Sequence, residues 1–213
     1  MNAIDKLTEI FKEFPGIGER QARRFAYFLV ARTNGYNDVL ANLILDLKKE
    51  TGQCQECFKF FNLERKSDGQ NICEICADSN TDSSLLMIVE KDSDLESVRK
   101  SGAYHGKYFI LGGLVPIVEK NTKSRVRIEE LTKKIGREAR PSGLGLASLK
   151  EIILAFSLSP QGDHTDFYVR QELRELAESL GLKISSLGRG LSTGTELEYS
   201  DNDTLKNALK NRQ

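Results

Sequence analysis

The chain has 213 residues, 39% of them hydrophobic and 29% charged, which is enough to bury a core in one ordinary domain with one or two smaller pieces. No apolar run approaches the roughly 20 residues that a membrane-spanning helix needs, so we expect no membrane association. Lysine plus arginine and aspartate plus glutamate both total 31, so the net charge is zero and does not attract nucleic acid. A nucleic acid would have to bind at local basic patches. No signal peptide opens the chain, which predicts a cytoplasmic protein.

The N-terminal third predicts amphipathic helices. Two apolar stripes at helical spacing are separated by a Pro-Gly turn, and the proline is expected to end the first helix. A third stripe follows, with Asn37 as the candidate N-cap of its helix. The three stripes consist of Ile4, Leu7, Phe11 and Phe14; of Ala22, Phe25, Ala26, Leu29 and Val30; and of Leu40, Leu43, Ile44 and Leu47.

The turn between the first two helices is a candidate anion site. Gly16 and Gly18 permit a tight turn whose backbone N–H groups point outward at the start of the second helix. Arg20, Arg23 and Arg24 follow at once, so a phosphate bound at these amides would have guanidinium groups close by. This element resembles the helix-hairpin-helix module, which grips a nucleic-acid backbone without reading sequence. The alternative is a helical hairpin whose turn only packs.

Four cysteines, the only ones in the chain, form two CxxC pairs separated by fifteen residues. Each pair can turn two thiolates toward a common point, and the spacing is that of a closed tetrahedral zinc site. Two disulfides in a secreted domain are the alternative, which the absence of a signal peptide disfavours. Four thiolates leave no position for water, so we expect the zinc to stabilise structure and to perform no chemistry. The predicted ligands are Cys54, Cys57, Cys73 and Cys76.

Beyond the cysteines, short apolar runs alternate with stretches of helical spacing, which predicts a parallel sheet covered on both faces. The predicted strands are 85–89, 108–111, 152–156 and 183–187, and the predicted covering helices are 92–100, 125–140 and 165–180. In open α/β sheets the working site lies beyond the carboxyl ends of the strands. Here those ends carry Glu90, then Gly112 and Gly113, then the tripeptide Gln161-Gly162-Asp163.

A basic run lies between Glu119 and Arg140, where eight lysines and arginines accompany four glutamates. A run of this kind is more often the solvated face of a helix than a binding stripe, so by itself it is weak support for nucleic-acid binding.

The order of these motifs, from PGIG and the four cysteines through LLMIVE, YHGKYFILGG, EIILAF and QGDHT to RGLSTGTELEYSDNDTLKNAL, resembles the RecR family of bacterial recombination mediators from about Leu7 to Arg212. The resemblance implies a helix-hairpin-helix domain (1–52), a four-cysteine zinc finger (53–80), a Toprim domain (81–185) and a C-terminal extension (186–213). It also implies dimers and a ring-shaped tetramer that encircles gapped DNA and works with RecO and RecF to load recombinase.

The match to the family's motifs is uneven. Arg20 stands where the family usually has a lysine, and Glu19 stands where a proline is common. Glu90 matches the Toprim glutamate, but the later acidic motif begins with Gln161, so one carboxylate has become an amide. Ser192 and Thr195 likewise replace a usual proline and glycine in the RGLPVGG-like turn.

Two functions from different classes therefore remain. The first is a DNA clamp without catalytic residues, in which Glu90 and Asp163 form at most a weak Mg²⁺ or phosphate site. The alternative is a Mg²⁺-dependent Toprim nuclease or a topoisomerase-like enzyme. Such an enzyme needs several carboxylates around the metal and a placed nucleophile. The clamp is favoured because the acidic set is incomplete.

Overall fold

A computed structural model describes residues 1–65, 71–118, 125–139, 149–188 and 204. The chain divides into two compact units, Met1–Gly52 and Gln53–Gln213. Within the described part of the chain, no helix is long and apolar enough to cross a membrane. The C-terminal extension predicted for 186–213, including Ser192 and Thr195, lies outside the described residues apart from 186–188 and Thr204.

Three helices make up the first unit: α1 (Ala3–Lys12), α2 (Glu19–Val30) and α3 (Asn34–Glu50). Thr8 of α1 and the small side chains Ala22 and Ala26 of α2 are buried where these two helices pack together. Phe11 of α1 packs edge-to-face against Phe25 of α2, with 5.9 Å between the ring centroids. The predicted hairpin is present.

Helix α3 presents apolar side chains to the surface and contains no buried residue. Leu43, Ile44 and Leu47 are each more than 60% exposed. The helix begins earlier than the candidate cap Asn37 suggested, because the side chain of Thr33 accepts a hydrogen bond from the Tyr36 N–H and caps it. The Asn37 side chain instead donates to the carbonyl oxygen of Leu29.

A small four-cysteine subdomain follows helix α3 in the chain. Strands β1 (Thr51–Gln53) and β2 (Phe60–Asn62) form a two-stranded sheet. A 3-10 turn (Leu63–Arg65) and the short helix α4 (Glu74–Ala77) complete its described elements. The first cysteine pair lies between the two strands, and the second lies at the start of α4.

A four-stranded parallel sheet forms the body of the second unit, in the spatial order β4-β3-β5-β6. Its strands are β3 (Asp82–Val89), β4 (Gly106–Ile110), β5 (Glu151–Ala155) and β6 (Lys183–Ser186). Alternate residues of β3 enter two different cores. Leu86 and Ile88 join α6 (Ile128–Glu138) and α7 (Pro160–Leu180), whereas Met87 and Val89 join α5 (Asp92–Ser101).

The predicted α/β class, with a helical N-terminus and a four-cysteine subdomain, is thus confirmed. The sequence placed the start of the last helix five residues too late. Helix α7 begins at Pro160 because the Ser159 hydroxyl accepts a hydrogen bond from the Gly162 N–H and proline suits the first helical turn. The QGD motif consequently lies inside the first turn of a helix.

Candidate metal centre and nucleic-acid interface

The four cysteine sulfurs lie within 4.8 Å of one another, and no disulfide joins them. The Cys57 and Cys73 sulfurs are 3.6 Å apart, close to the roughly 3.8 Å expected between sulfurs of a tetrahedron with Zn–S bonds of about 2.3 Å. The Cys73 backbone N–H donates to the Cys54 sulfur at 3.4 Å, as is common around metal-bound thiolates. The geometry fits a four-coordinate metal ion.

The charge of the cluster also calls for a cation. A hydrogen bond with Cys57 lowers the pKa of the Cys54 thiol, whereas hydrogen bonds with Cys54 raise the pKa values of Cys57 and Cys76. Four thiolates this close repel one another, so they can all be ionised only when a metal neutralises them. The donor set, four sulfurs and no oxygen, suits a thiophilic ion such as zinc.

The first cysteine pair is attached directly to the edge of the parallel sheet. The Cys57 carbonyl oxygen accepts a hydrogen bond from the Ile110 N–H of edge strand β4 at 2.9 Å. Phe58, held at a positive φ of 63°, packs edge-to-face on Phe109 with 5.3 Å between centroids. The Arg127 guanidinium lies 5.0 Å from the centre of the Phe58 ring and donates to the Ile110 carbonyl oxygen.

Ion pairs fasten the subdomain to α6 on one side. The Lys134 ammonium contacts Glu56 of the first cysteine pair at 3.0 Å and Glu138 at 2.8 Å, and Lys134 is only 5% exposed. Arg137 also pairs with Glu56. Burial works to lower the pKa of Lys134, but the two carboxylates outweigh it and raise that pKa overall. Lys134 therefore stays charged at neutral pH.

A second buried lysine makes the matching connection to α5. The Lys59 ammonium contacts Glu74 at 3.3 Å and Glu96 at 2.9 Å, and the Phe60 N–H donates to the Asp92 carboxylate at 2.8 Å. Sequence reasoning did not find Lys59 or Lys134 as structural residues. Lys59 has a partner 15 positions away in the chain and Lys134 has one 78 positions away, and no local pattern marks such pairs.

At the N-terminal turn, Gly16 adopts a positive φ of 75°, a conformation that favours glycine. Gly18 is the N-cap of α2 and supplies no side-chain hydrogen bond. Within the described part of the chain, the N–H groups of Glu19 and Arg20 donate no hydrogen bond. Uncapped amides at the positive end of a helix attract anions.

The three predicted arginines are exposed and stand on neighbouring positions of α2. Arg20, Arg23 and Arg24 are spaced i, i+3 and i+4, so they share one side of the helix next to its N-terminus. Arg23 lies 3.9 Å from the Glu19 carboxylate, which partly offsets its charge. Among the described residues, neither Arg20 nor Arg24 forms an ion pair. The structure therefore places the five predicted residues of the turn together.

At the carboxyl ends of the sheet strands, Glu90 is partly exposed and lies 3.8 Å from the Lys91 ammonium. Asp163 is exposed in the first turn of α7. Glycine is required at position 162, directly before Asp163, because a Cβ there would overlap the carbonyl oxygen of Ser157. Among the described residues, only the four cysteines form a group of three or more potential metal ligands.

Comparison with known proteins identifies the family. Residues 84–188 match the Toprim domain, and residues 190–213 match the RecR C-terminal region. Recombination protein RecR of Bdellovibrio bacteriovorus is 32% identical over 212 residues, which cover all of this chain and 97% of that protein. The chain belongs to the RecR family.

Other relatives match over similar lengths. Recombination protein RecR of a Cyanothece species is 31% identical, covering 99% of this chain and 95% of the relative. Recombination protein RecR of Bacteroides thetaiotaomicron is 32% identical, covering 98% and 92%. The resemblance predicted from the motifs is therefore confirmed across the whole RecR chain.

Proposed function

We propose that this protein is a DNA-binding recombination mediator that acts in the repair of gapped DNA. The observation that carries the proposal is the exposed glycine turn of α2, with uncapped amides and three arginines together, in a chain of the RecR family. Amides and guanidinium groups bind phosphates of any sequence, which suits a protein recruited by DNA structure and not by base identity.

The working form in this proposal is a ring built from several copies. One chain of 23.9 kDa is too small to surround a duplex, so encirclement requires closed symmetry. The apolar face of α3 supports self-association, because Leu43, Ile44 and Leu47 are exposed on the single chain. We propose dimers and tetramers whose contacts involve the N-terminal helices and the segment 196–209, which lies outside the described residues apart from Thr204.

In this proposal the four cysteines hold one structural zinc ion. Zinc supplies a four-coordinate link between the two CxxC pairs, and the chain's own ion pairs position that link against the sheet. We further propose cytoplasmic function with RecO-type and RecF-type partners, and a chain organised as 1–52, 53–80, 81–185 and 186–213. The DNA contacts are Gly16, Gly18, Arg20, Arg23 and Arg24.

The proposed mediator has no catalytic residue of its own. Glu90 and Asp163 offer two carboxylates at the strand ends, which supports at most weak Mg²⁺ or phosphate binding. Phosphoryl transfer also needs a nucleophile and a group to manage its proton. The motif residue that could have added a third carboxylate is the neutral Gln161.

The test is to incubate highly purified protein with gapped DNA and Mg²⁺ or Mn²⁺, and to measure binding and strand breaks in the same samples. We expect binding without cleavage. Glu90→Gln should leave DNA binding unchanged. A trace of nuclease activity that is the same in Glu90→Gln and in the parent protein would come from a contaminating nuclease. A metal-dependent strand break that disappears with Glu90→Gln would replace the mediator proposal with the Toprim nuclease.

A further inference from the structure

Cys76 differs from the other three cysteines in its access to solvent. Cys54, Cys57 and Cys73 are completely buried, whereas Cys76 is partly exposed. Cys76 also lines a cavity of about 320 Å³ that opens between the four-cysteine subdomain and α6. The other lining residues are Glu56, Ile72, Lys107, Lys134, Arg137 and Glu138.

The charged side chains that line this cavity have a net charge of +1. Lys107, Lys134 and Arg137 provide three positive charges, against two carboxylates from Glu56 and Glu138. A zinc ion with four thiolates carries two net negative charges, so these cations lie where they stabilise electron-rich sulfur and any anion formed beside it. The Cys76 side of the centre therefore combines access with electrostatic stabilisation of a leaving anion.

We propose that Cys76 is the oxidation site of the metal centre, and that hydrogen peroxide is its reagent. The Cys76 thiolate attacks one peroxide oxygen, the O–O bond breaks, and a sulfenic acid and hydroxide form. A second thiolate of the cluster then attacks the Cys76 sulfur and displaces a second hydroxide, which leaves a disulfide. Two thiolates and one peroxide thus yield one disulfide and two hydroxides, the sulfurs being oxidised and the peroxide reduced.

This reaction has a structural consequence for the sheet. All four sulfurs are within 4.8 Å, so the second thiolate is within reach of Cys76 after a small movement. The disulfide would remove two of the four thiolates that hold the metal ion, which favours its release. The freed subdomain includes Cys57 and Phe58, which contact edge strand β4 and Arg127. Oxidation at Cys76 therefore loosens one edge of the Toprim domain.

The first experiment maps reactivity in the unmodified, metal-loaded protein. After the zinc content has been measured, a limiting amount of iodoacetamide is added, and each alkylated cysteine is quantified by peptide mass spectrometry. We expect alkylated Cys76 to exceed the other three cysteines combined. Equal labelling, or earlier labelling of a buried cysteine, would overturn the proposal. This inference depends on a bound metal but not on DNA binding, so the two can fail separately.

The second experiment adds hydrogen peroxide and follows released zinc with a chromogenic chelator. We expect one zinc lost per chain and a disulfide that includes Cys76. Retained zinc, purified protein without a bound metal, or a disulfide that omits Cys76 would each contradict the proposal.

A third experiment tests the cavity itself by comparing anionic iodoacetate with neutral iodoacetamide. The measured quantity is the rate constant for alkylation of Cys76 by iodoacetate divided by that for iodoacetamide. Arg137→Gln removes one cation from the cavity and should lower this ratio by a factor of about two to five. Arg174→Gln is the control, since Arg174 is an exposed, ion-paired arginine on α7 that does not line the cavity. An unchanged ratio in Arg137→Gln would show that reagents do not approach through this cavity.

Discussion

At the scale of single residues, the candidate anion site at the start of α2 depends on the absence of a side-chain cap. Gly18 caps the helix without a side-chain acceptor, so the first amides remain available to an external anion. A serine or aspartate there would satisfy one of those amides internally and compete with a phosphate. The sequence could predict this arrangement, because two glycines and three arginines around one turn specify it locally. Their contact with DNA stays a prediction.

Arg24→Ala is expected to weaken DNA binding to a similar extent for all sequences. If Arg24 contacts one phosphate, its loss should reduce the slope of log affinity against log salt by about one counterion. The measurement is fluorescence anisotropy with two unrelated DNA sequences across a salt series, and Arg20→Ala should behave in the same way.

Arg174→Ala serves as the control for charge alone, because Arg174 is exposed on α7 of the other unit. It should change neither the affinity nor the salt slope. An Arg24→Ala effect confined to one DNA sequence, or no effect at all, would contradict a backbone contact at this turn.

At the scale of elements, the four-cysteine subdomain is fastened to the sheet and to its covering helices. Its backbone extends the hydrogen bonding of β4, and its acidic and basic side chains pair with α5 and α6. Lys134 belongs to the basic run that the sequence indicated as a solvated helix face, yet Lys134 is 5% exposed. Because α6 turns Lys134 inward toward Glu56 and Glu138, this lysine is a structural residue.

Lys134→Met is expected to destabilise the second unit by about 1–3 kcal/mol, because Glu56 and Glu138 lose their shared buried cation but keep Arg137 and Lys107 as partners. The free energy of unfolding is measured by urea denaturation of the zinc-loaded protein. Lys133→Met is the matched control, since Lys133 is the preceding residue of the same helix and is exposed. Equal, small losses in both variants would show that the buried ion pairs contribute little.

The elements show what a sequence can and cannot specify. The apolar pattern predicted the helices and strands. Neighbouring strand residues such as Leu86 and Met87 are both apolar because each faces a separate core. The CxxC spacing likewise predicted the clustering of the four sulfurs. The sequence did not predict the long-range contacts. The pairing of Glu56 with α6 and the hydrogen bond between Cys57 and Ile110 depend on tertiary packing, and so does the exposure of each cysteine.

At the scale of the whole molecule, the proposed ring requires several copies of the chain to act together. A turn with three arginines on one small unit contacts only a few phosphates, so a single copy would bind DNA weakly. Several copies around one duplex multiply these contacts and hold the DNA topologically, even where each contact is weak. The exposed apolar face of α3 is consistent with an assembly surface, and the zero net charge does not oppose association.

The most direct test of the ring is light scattering of the protein alone and with gapped circular DNA, repeated after the circle is cut. We predict a mass of two to four times 23.9 kDa for the free protein at micromolar concentration. On the circle, we predict a complex that survives high salt and that is released once the DNA is linear. A strictly monomeric protein that still protects gapped DNA, or a complex equally stable on circular and linear DNA, would contradict the proposed ring.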